Sequence, residues 1–184
     1  MSTTGFRRLA RAPKRLTRRI FAAQSAPQDS RAAARSLVLT ESAAIIEYLS
    51  RSFSNPQIYR PSNPESCAAL SEWCYFIISE LDAASLYMVR RHLRLKDIYG
   101  EAPVAVQAAK TYFAHNLEAM APRIGIASPY LFGSKLSTAD ILLMTCLEWA
   151  RAEQVTLPES VMKYRERVAG RFAYQAALAR NFAQ

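Results

Sequence analysis

Apolar residues recur every three or four positions through most of the chain after Asn63, which is the pattern of amphipathic helices. One predicted helix begins at Asn63 and Pro64, and another begins at Pro103, because proline in the first turn loses no hydrogen bond. Their inner faces consist of Leu70, Trp73, Cys74, Ile77, Leu81, Ala84 and Met88, and of Val106, Ala109, Phe113, Leu117 and Met120. The pattern predicts a helical bundle over residues 63–184.

A third predicted helix has the clearest start. Ser137 and Asp140 have the spacing of a capping box, and Leu136 with Ile141 provides a hydrophobic staple across it. The following residues, 141–149, are apolar on nearly every side, which predicts the buried centre of the bundle. We therefore interpret Ser137 and Asp140 as a structural cap. Two further helices are predicted, one after Pro158 through Tyr164 and Val168 and one from about Phe172 to Arg180.

Residues 37–49 predict a short strand that leads directly into a helix beginning at Ser42. The N–H groups at a helix N-terminus point outward and carry partial positive charge. A ligand carboxylate is therefore favoured at Ser42, and the neighbouring Glu41 carboxylate favours a ligand ammonium. The pair fits a zwitterionic amino-acid group. The alternative is that Ser42 only caps a structural helix while Glu41 lies in solvent.

Three ordered motifs resemble the glutathione transferase family: residues 37–49, residues 129–141, and the stretch containing Tyr164, Arg167 and residues 171–175. Phe172 stands where family members commonly have proline. The resemblance implies a mainly α fold, in which a glutathione transferase C-terminal-like helical bundle follows an incomplete thioredoxin-like (α/β) remnant. It also implies the domain bounds: residues 37–62 form that remnant and a linker, and residues 63–184 form the helical domain.

The resemblance also implies a function, which is the conjugation of glutathione to a hydrophobic electrophile by a homodimer. Glu41 and Ser42, with Thr40 beside them, are then expected to hold the γ-glutamyl end of glutathione.

The second-substrate pocket is expected near Tyr87, Met88 and Arg91. For Arg91 the alternative is a solvated basic helix end that complements its own dipole. The family's sulfur-activating residue is not recognisable in residues 1–36, so the catalytic residue is unknown. A non-catalytic helical interaction module is therefore a second interpretation.

Residues 1–36 differ from the rest in charge. They contain nine Lys or Arg residues and one acid, Asp29, so they carry +8 of the chain's net charge of +9. We expect a basic, disordered tail, too short for the βαβ unit of about 30 residues with a further helix and strand that the resemblance implies. The alternatives are a truncated or frame-altered start, a mitochondrial presequence, or an arm that attaches to nucleic acid or membrane.

The remaining chemistry is sparse. Cys67, Cys74 and Cys146 have no close Cys or His partner at metal-binding spacing, so no metal is expected. We interpret Cys67 and Cys74, seven residues apart, as core residues of one helix face. Reduced thiols suggest a cytoplasmic protein. No apolar run approaches the roughly 20 residues of a membrane span, and no specific nucleic-acid partner is expected.

Overall fold

A computed structural model of the protein describes residues 21–23, 37–53 and 55–182. Its first elements are two strands, β1 (Phe21–Ala23) and β2 (Leu37–Leu39), which pair antiparallel with Ala22 opposite Val38. The strand β1 lies within the predicted basic tail, where the sequence pattern does not indicate a strand. Main-chain groups alone form this ladder, so a three-residue strand leaves no periodic signal in the sequence. The rest of the predicted tail lies outside the described residues.

Helices make up most of the described chain. They are α1 (Ser42–Ser52), α2 (residues 64–94), α3 (Lys96–Tyr99), α4 (Pro103–Gly125), α5 (Thr138–Ala152), α6 (Glu159–Ala169) and α7 (Phe172–Phe182). The predicted mainly helical fold is confirmed, and the prolines and Ser137 mark the helix starts as expected. Within the described ranges, no helix has both the length and the apolar character that a bilayer crossing requires.

The core lies between α2, α4, α5 and α6, which pack on one another. Phe113 from α4, Leu81 from α2, Leu143 from α5 and Tyr164 from α6 are all fully buried. Burying an apolar side chain of this size contributes about 1.5–3 kcal/mol. As predicted, α5 is buried on nearly every side and forms the centre of the bundle.

The helix α2 changes its form along its length. The segments Pro64–Phe76 and Tyr87–Val89 are α-helical, whereas Ile77–Leu86 and Arg90–Arg94 are π-helical. In a π-helix each N–H bonds to the carbonyl five residues earlier, which widens the turn. The backbone N–H of Tyr87, for example, donates to the carbonyl of Asp82.

This change corrects the predicted inner face of α2. Ala84 is exposed and Met88 is only half-buried, whereas Ser85, Leu86 and Val89 are buried in their place. The prediction used the α-helical repeat, and the wider π turns rotate later residues away from that repeat. The Ser85 hydroxyl donates to the carbonyl of Glu80 at 2.5 Å, which satisfies it in the interior.

The start of α5 is a buried hydrogen-bond cluster centred on Asp140. One carboxylate oxygen accepts from the Ser137 N–H at 2.7 Å and the Ser137 hydroxyl at 2.6 Å. The other accepts from the Leu131 N–H at 2.9 Å and the Tyr164 hydroxyl at 2.5 Å. The Asp140 N–H donates back to Ser137 Oγ. Asp140 therefore joins α5, α6 and the loop before α5; burial, together with this carboxylate, raises the pKa of Tyr164.

The three cysteines are free thiols in different surroundings. Cys146 is buried and Cys74 half-buried, and burial raises the pKa of both thiols, that of Cys74 to about 11. Cys67 is exposed, so the expectation that it packs in the core is wrong. It lies in the first turns of α2, where the solvent-facing side begins before the core does. Across the described ranges, no cluster of three or more His, Cys, Asp or Glu side chains is placed to hold a metal ion.

Candidate functional site

The candidate site is the junction between β2 and α1. Thr40 and Glu41 connect the strand to the helix, and Glu41 adopts a left-handed backbone with φ of 69°. This conformation is uncommon for a residue with a Cβ. The first hydrogen bond of α1 runs from the Ile45 N–H to the Glu41 carbonyl at 3.1 Å. Glu41 is thus the N-cap by position, and its side chain makes no capping hydrogen bond.

The start of α1 is open to a ligand. Since Ile45 makes the first helical bond, the N–H groups of Ser42, Ala43 and Ala44 point out of the helix end. The side chains of Glu41 and Ser42 are exposed, and Thr40 is half-buried. The expected helix start at Ser42 agrees with the structure, although Ser42 is the first helical residue and not the cap. An anion is favoured at the N–H groups and a cation at Glu41.

The bundle holds α1 by one side. Ala43 and Ile46 pack against the core, and α1 contacts α5. At the other end of α1, Arg60 donates from Nε to the Ser50 carbonyl at 2.8 Å and from a terminal nitrogen to the Phe53 carbonyl. Packing near its N-terminal end and the Arg60 hydrogen bonds at its C-terminal end therefore hold α1 in place, although none of its side chains is fully buried.

The residues expected at a second-substrate pocket lie far along α2. Tyr87 is 39% exposed, and Met88 is half-buried. The Arg91 guanidinium lies over the rings of Tyr87 and Tyr99, 5.8 and 4.6 Å from their centroids. These cation–π contacts tie the end of α2 to α3. The three residues thus form one surface, and that surface belongs to a different helix from Glu41 and Ser42.

The sequence analysis does not single out a groove between two loops. The groove has a volume of about 610 Å³ and lies between residues 55–60, which follow α1, and residues 132–135, which precede α5. Tyr59 and Phe132 stack in its wall with ring centroids 4.7 Å apart. A parallel bridge between Ile58 and Leu136 holds the loops together. Contacts between segments this distant in sequence leave no local pattern to find.

Comparisons with known proteins agree with this architecture at the level of the fold. No protein-family model matches the chain, and no curated protein does. Among solved structures, BphK, a bacterial GST in a ternary complex, is 27% identical with a TM-score of 0.67; the match covers 79% of this chain and 69% of that one.

Two further solved structures are similar. A glutathione transferase from Methylococcus capsulatus str. Bath is 25% identical with a TM-score of 0.64, covering 79% of this chain and 68% of that one. A glutathione transferase homolog from Lodderomyces elongisporus, solved with two GSH per subunit, is 15% identical with a TM-score of 0.67, covering 83% and 72% respectively.

The described chain therefore has a glutathione transferase-like fold. It is mainly α, and the helices from α2 onward correspond to the helical C-terminal domain of that fold.

Proposed function

We propose that this protein binds glutathione through the open start of α1 and conjugates it to hydrophobic electrophiles. The observation that carries the proposal is the exposed Glu41–Ser42 pair at a helix N-terminus whose N–H groups no side chain of the described residues caps. Two similar structures contain glutathione, one from Lodderomyces elongisporus and one from Sulfitobacter, and both support the choice of ligand.

Each end of the γ-glutamyl group has a partner in this proposal. Its carboxylate receives hydrogen bonds from the N–H groups of Ser42 and the next residues, and from the Ser42 hydroxyl. Its ammonium pairs with the Glu41 carboxylate, and Thr40 lies beside the pair. An exposed ion pair contributes only about 0–1 kcal/mol. We therefore expect the junction to orient glutathione while contributing little of the affinity.

The reaction needs the thiolate of glutathione. A thiol with a pKa of about 8.5 is mostly protonated at neutral pH, so a donor beside the sulfur is required for a large rate acceleration. No residue is assigned to that role here. We propose Tyr87, Met88 and Arg91 as the surface that contacts the electrophile, a homodimer as the assembly, and the cytoplasm as the location, with the mitochondrion as the alternative.

The test is glutathione binding by calorimetry together with conjugation of a chromogenic electrophile. We expect weak binding and slow turnover by the 184-residue chain. Glu41→Ala is expected to weaken binding about two- to fivefold, the range of one exposed ion pair. Glu65→Ala is the matched control, because Glu65 is an exposed acid in the first turn of another helix.

Each outcome decides between the interpretations. Equal losses in the two variants, or no glutathione binding at all, would contradict the proposed site. Binding that depends on Glu41 with no turnover would favour the non-catalytic interaction module. Rapid turnover by the unaltered chain would show that it contains a sulfur-activating residue.

A further inference from the structure

The groove between the two loops has a rigid aromatic wall. The rings of Tyr59 and Phe132 are nearly parallel, with 18° between their planes. The Tyr59 N–H donates to the Leu136 carbonyl at 2.8 Å, and the Leu136 N–H donates to the Gln57 carbonyl at 3.0 Å. Both rings also pack against the core. The wall therefore presents flat apolar surface in a fixed position.

The loop that carries Phe132 is itself a closed turn. Tyr130 and Gly133 exchange main-chain hydrogen bonds of 3.0 and 3.1 Å in both directions. Gly133 has a φ of 88°, which a residue with a side chain rarely adopts. The turn brings Phe132, Ser134 and Lys135 to the same groove.

The groove is positively charged. Arg60 and Lys135 line it, and none of its described lining residues is an acid. Arg60 donates to two neutral carbonyls at the end of α1, so its position is fixed while its charge remains. The C-terminal end of a helix carries only about half a negative charge. The partial charge of the helix end therefore does not cancel the two full positive charges of Arg60 and Lys135, and the groove remains positively charged.

We propose that this groove binds a nucleoside monophosphate. A phosphate monoester carries about −1.5 to −2 charges at pH 7, so the two cations that line the groove attract it. A flat base can stack on the aromatic wall, and Asn55 and Ser134 supply polar groups for the sugar or base edge. The volume of about 610 Å³ lies within the usual range of small-molecule sites.

This site is separate from the proposed glutathione site. Arg60 contacts the C-terminal end of α1, whereas Glu41 and Ser42 lie at its N-terminal end. Eleven helical residues separate the ends by roughly 15 Å. Binding at the groove therefore tests a different surface and does not depend on glutathione chemistry.

The experiment is calorimetric titration of the full chain with adenosine monophosphate, adenosine and inorganic phosphate. Adenosine provides the base and the sugar without the charge, and inorganic phosphate provides the charge without the base. We expect saturable binding of the monophosphate at a lower concentration than of either fragment. Absence of saturable binding in the millimolar range, or equal binding of phosphate alone, would overturn the proposal.

Variants locate the site. Lys135→Met is expected to weaken monophosphate binding about two- to fivefold and to leave adenosine unaffected. Lys163→Met removes the same charge from an exposed residue of α6 outside the groove and is expected to change nothing. Phe132→Leu is expected to weaken both ligands about fivefold or more through lost stacking. Because Phe132 also packs on the core, thermal unfolding of the Phe132→Leu protein is measured in parallel to show that it is still folded.

Two results would contradict the location. Monophosphate binding that Lys135→Met and Lys163→Met weaken equally would indicate general charge attraction. Binding that Glu41→Ala strengthens, because a negative charge beside the phosphate is removed, would place the nucleotide at the start of α1. Retained monophosphate binding in Glu41→Ala, with loss in Lys135→Met, would support the groove even if glutathione binding proves absent.

Discussion

The starts of α1 and α5 both carry a serine and an acid, yet they differ in what those groups contact. At α5, Ser137 and Asp140 are buried, and they bond to each other and to two neighbouring elements. At α1, Glu41 and Ser42 are exposed, and Glu41 makes no capping bond. The third helical residue explains the difference: it is Asp140 in α5 but Ala44 in α1, which has no side chain to close a capping box.

The difference separates a structural helix start from one that is available to a ligand. At α5, Ser137 Oγ accepts from the Asp140 N–H and the Asp140 carboxylate accepts from the Ser137 N–H, so these hydrogen bonds contribute to the free energy of unfolding. At α1 the N–H groups point to solvent, where water or a ligand can replace the missing cap. Removing the acid is therefore expected to lower the free energy of unfolding strongly at α5 and hardly at all at α1.

The largest expected effect is that of Asp140→Ala. The substitution leaves the buried donors of Ser137, Leu131 and Tyr164 without their acceptor. Each unsatisfied buried group costs about 1–3 kcal/mol, so we expect a loss of about 3–5 kcal/mol in the free energy of unfolding. This exceeds the 0.5–2 kcal/mol expected for a helix cap alone. Urea unfolding of Asp140→Ala and of the unaltered protein measures this loss and distinguishes the two ranges.

Glu41→Ala is the matched change at α1. Its expected effect on the free energy of unfolding, measured with urea, is within about 0.5 kcal/mol, because the side chain is exposed and makes no cap. Alanine and glutamate both carry a Cβ, so any strain at a φ of 69° is the same in both proteins. Comparable losses at the two positions would contradict the distinction between the helix starts.

The two serines are expected to show the same difference between the helix starts, with effects smaller than that of Asp140→Ala. Ser137→Ala removes one acceptor for the Asp140 N–H and one donor to its carboxylate, and we expect a loss of about 1–2 kcal/mol. Ser42→Ala is expected to change stability by less than about 0.5 kcal/mol. Thermal unfolding followed by circular dichroism compares the pair, and a Ser42→Ala protein that is the less stable of the two would reverse the assignment.

Sequence patterns predict the bundle well because its signals are local. Pro103 and the Ser137–Asp140 spacing each mark a helix start within one turn, and the structure places α4 and α5 there. The inner face of α2 is predicted correctly only as far as Leu81. Beyond it the π-helical turns change the repeat, and no residue type in residues 77–86 signals that change.

The candidate sites are predictable to different degrees for the same reason. The Glu41–Ser42 junction is one continuous stretch of sequence, so a strand followed by a helix start predicts it. The left-handed backbone of Glu41 is not predicted, because a residue with a Cβ rarely adopts it and its identity does not signal it. The groove at Tyr59 and Phe132 requires two segments more than 70 residues apart to meet, which hydrophobic periodicity does not encode.

The smallest expected effect is on the pKa of Cys74, a residue of α2 that charged groups of both α1 and α5 influence. Burial, together with the carboxylates of Glu47 in α1 and Asp140 in α5, raises the pKa of its thiol to about 11. Only the thiolate reacts with iodoacetamide. At pH 8 we therefore expect Cys74 to react about tenfold or more slowly than a free thiol of pKa about 8.5.

The pH dependence of that rate tests whether α1 lies against the bundle. In a Cys67→Ser background, the alkylation rate at Cys74 is expected to rise with pH until about 11. Glu47→Gln removes a negative charge that disfavours the thiolate, so the midpoint is expected to move slightly to lower pH. Glu65→Gln removes the same charge from a residue that does not influence this thiol and is expected to leave the midpoint unchanged. Equal midpoints in the Glu47→Gln and unaltered proteins would show that α1 does not lie close to α2, and the open helix start would then lack its support.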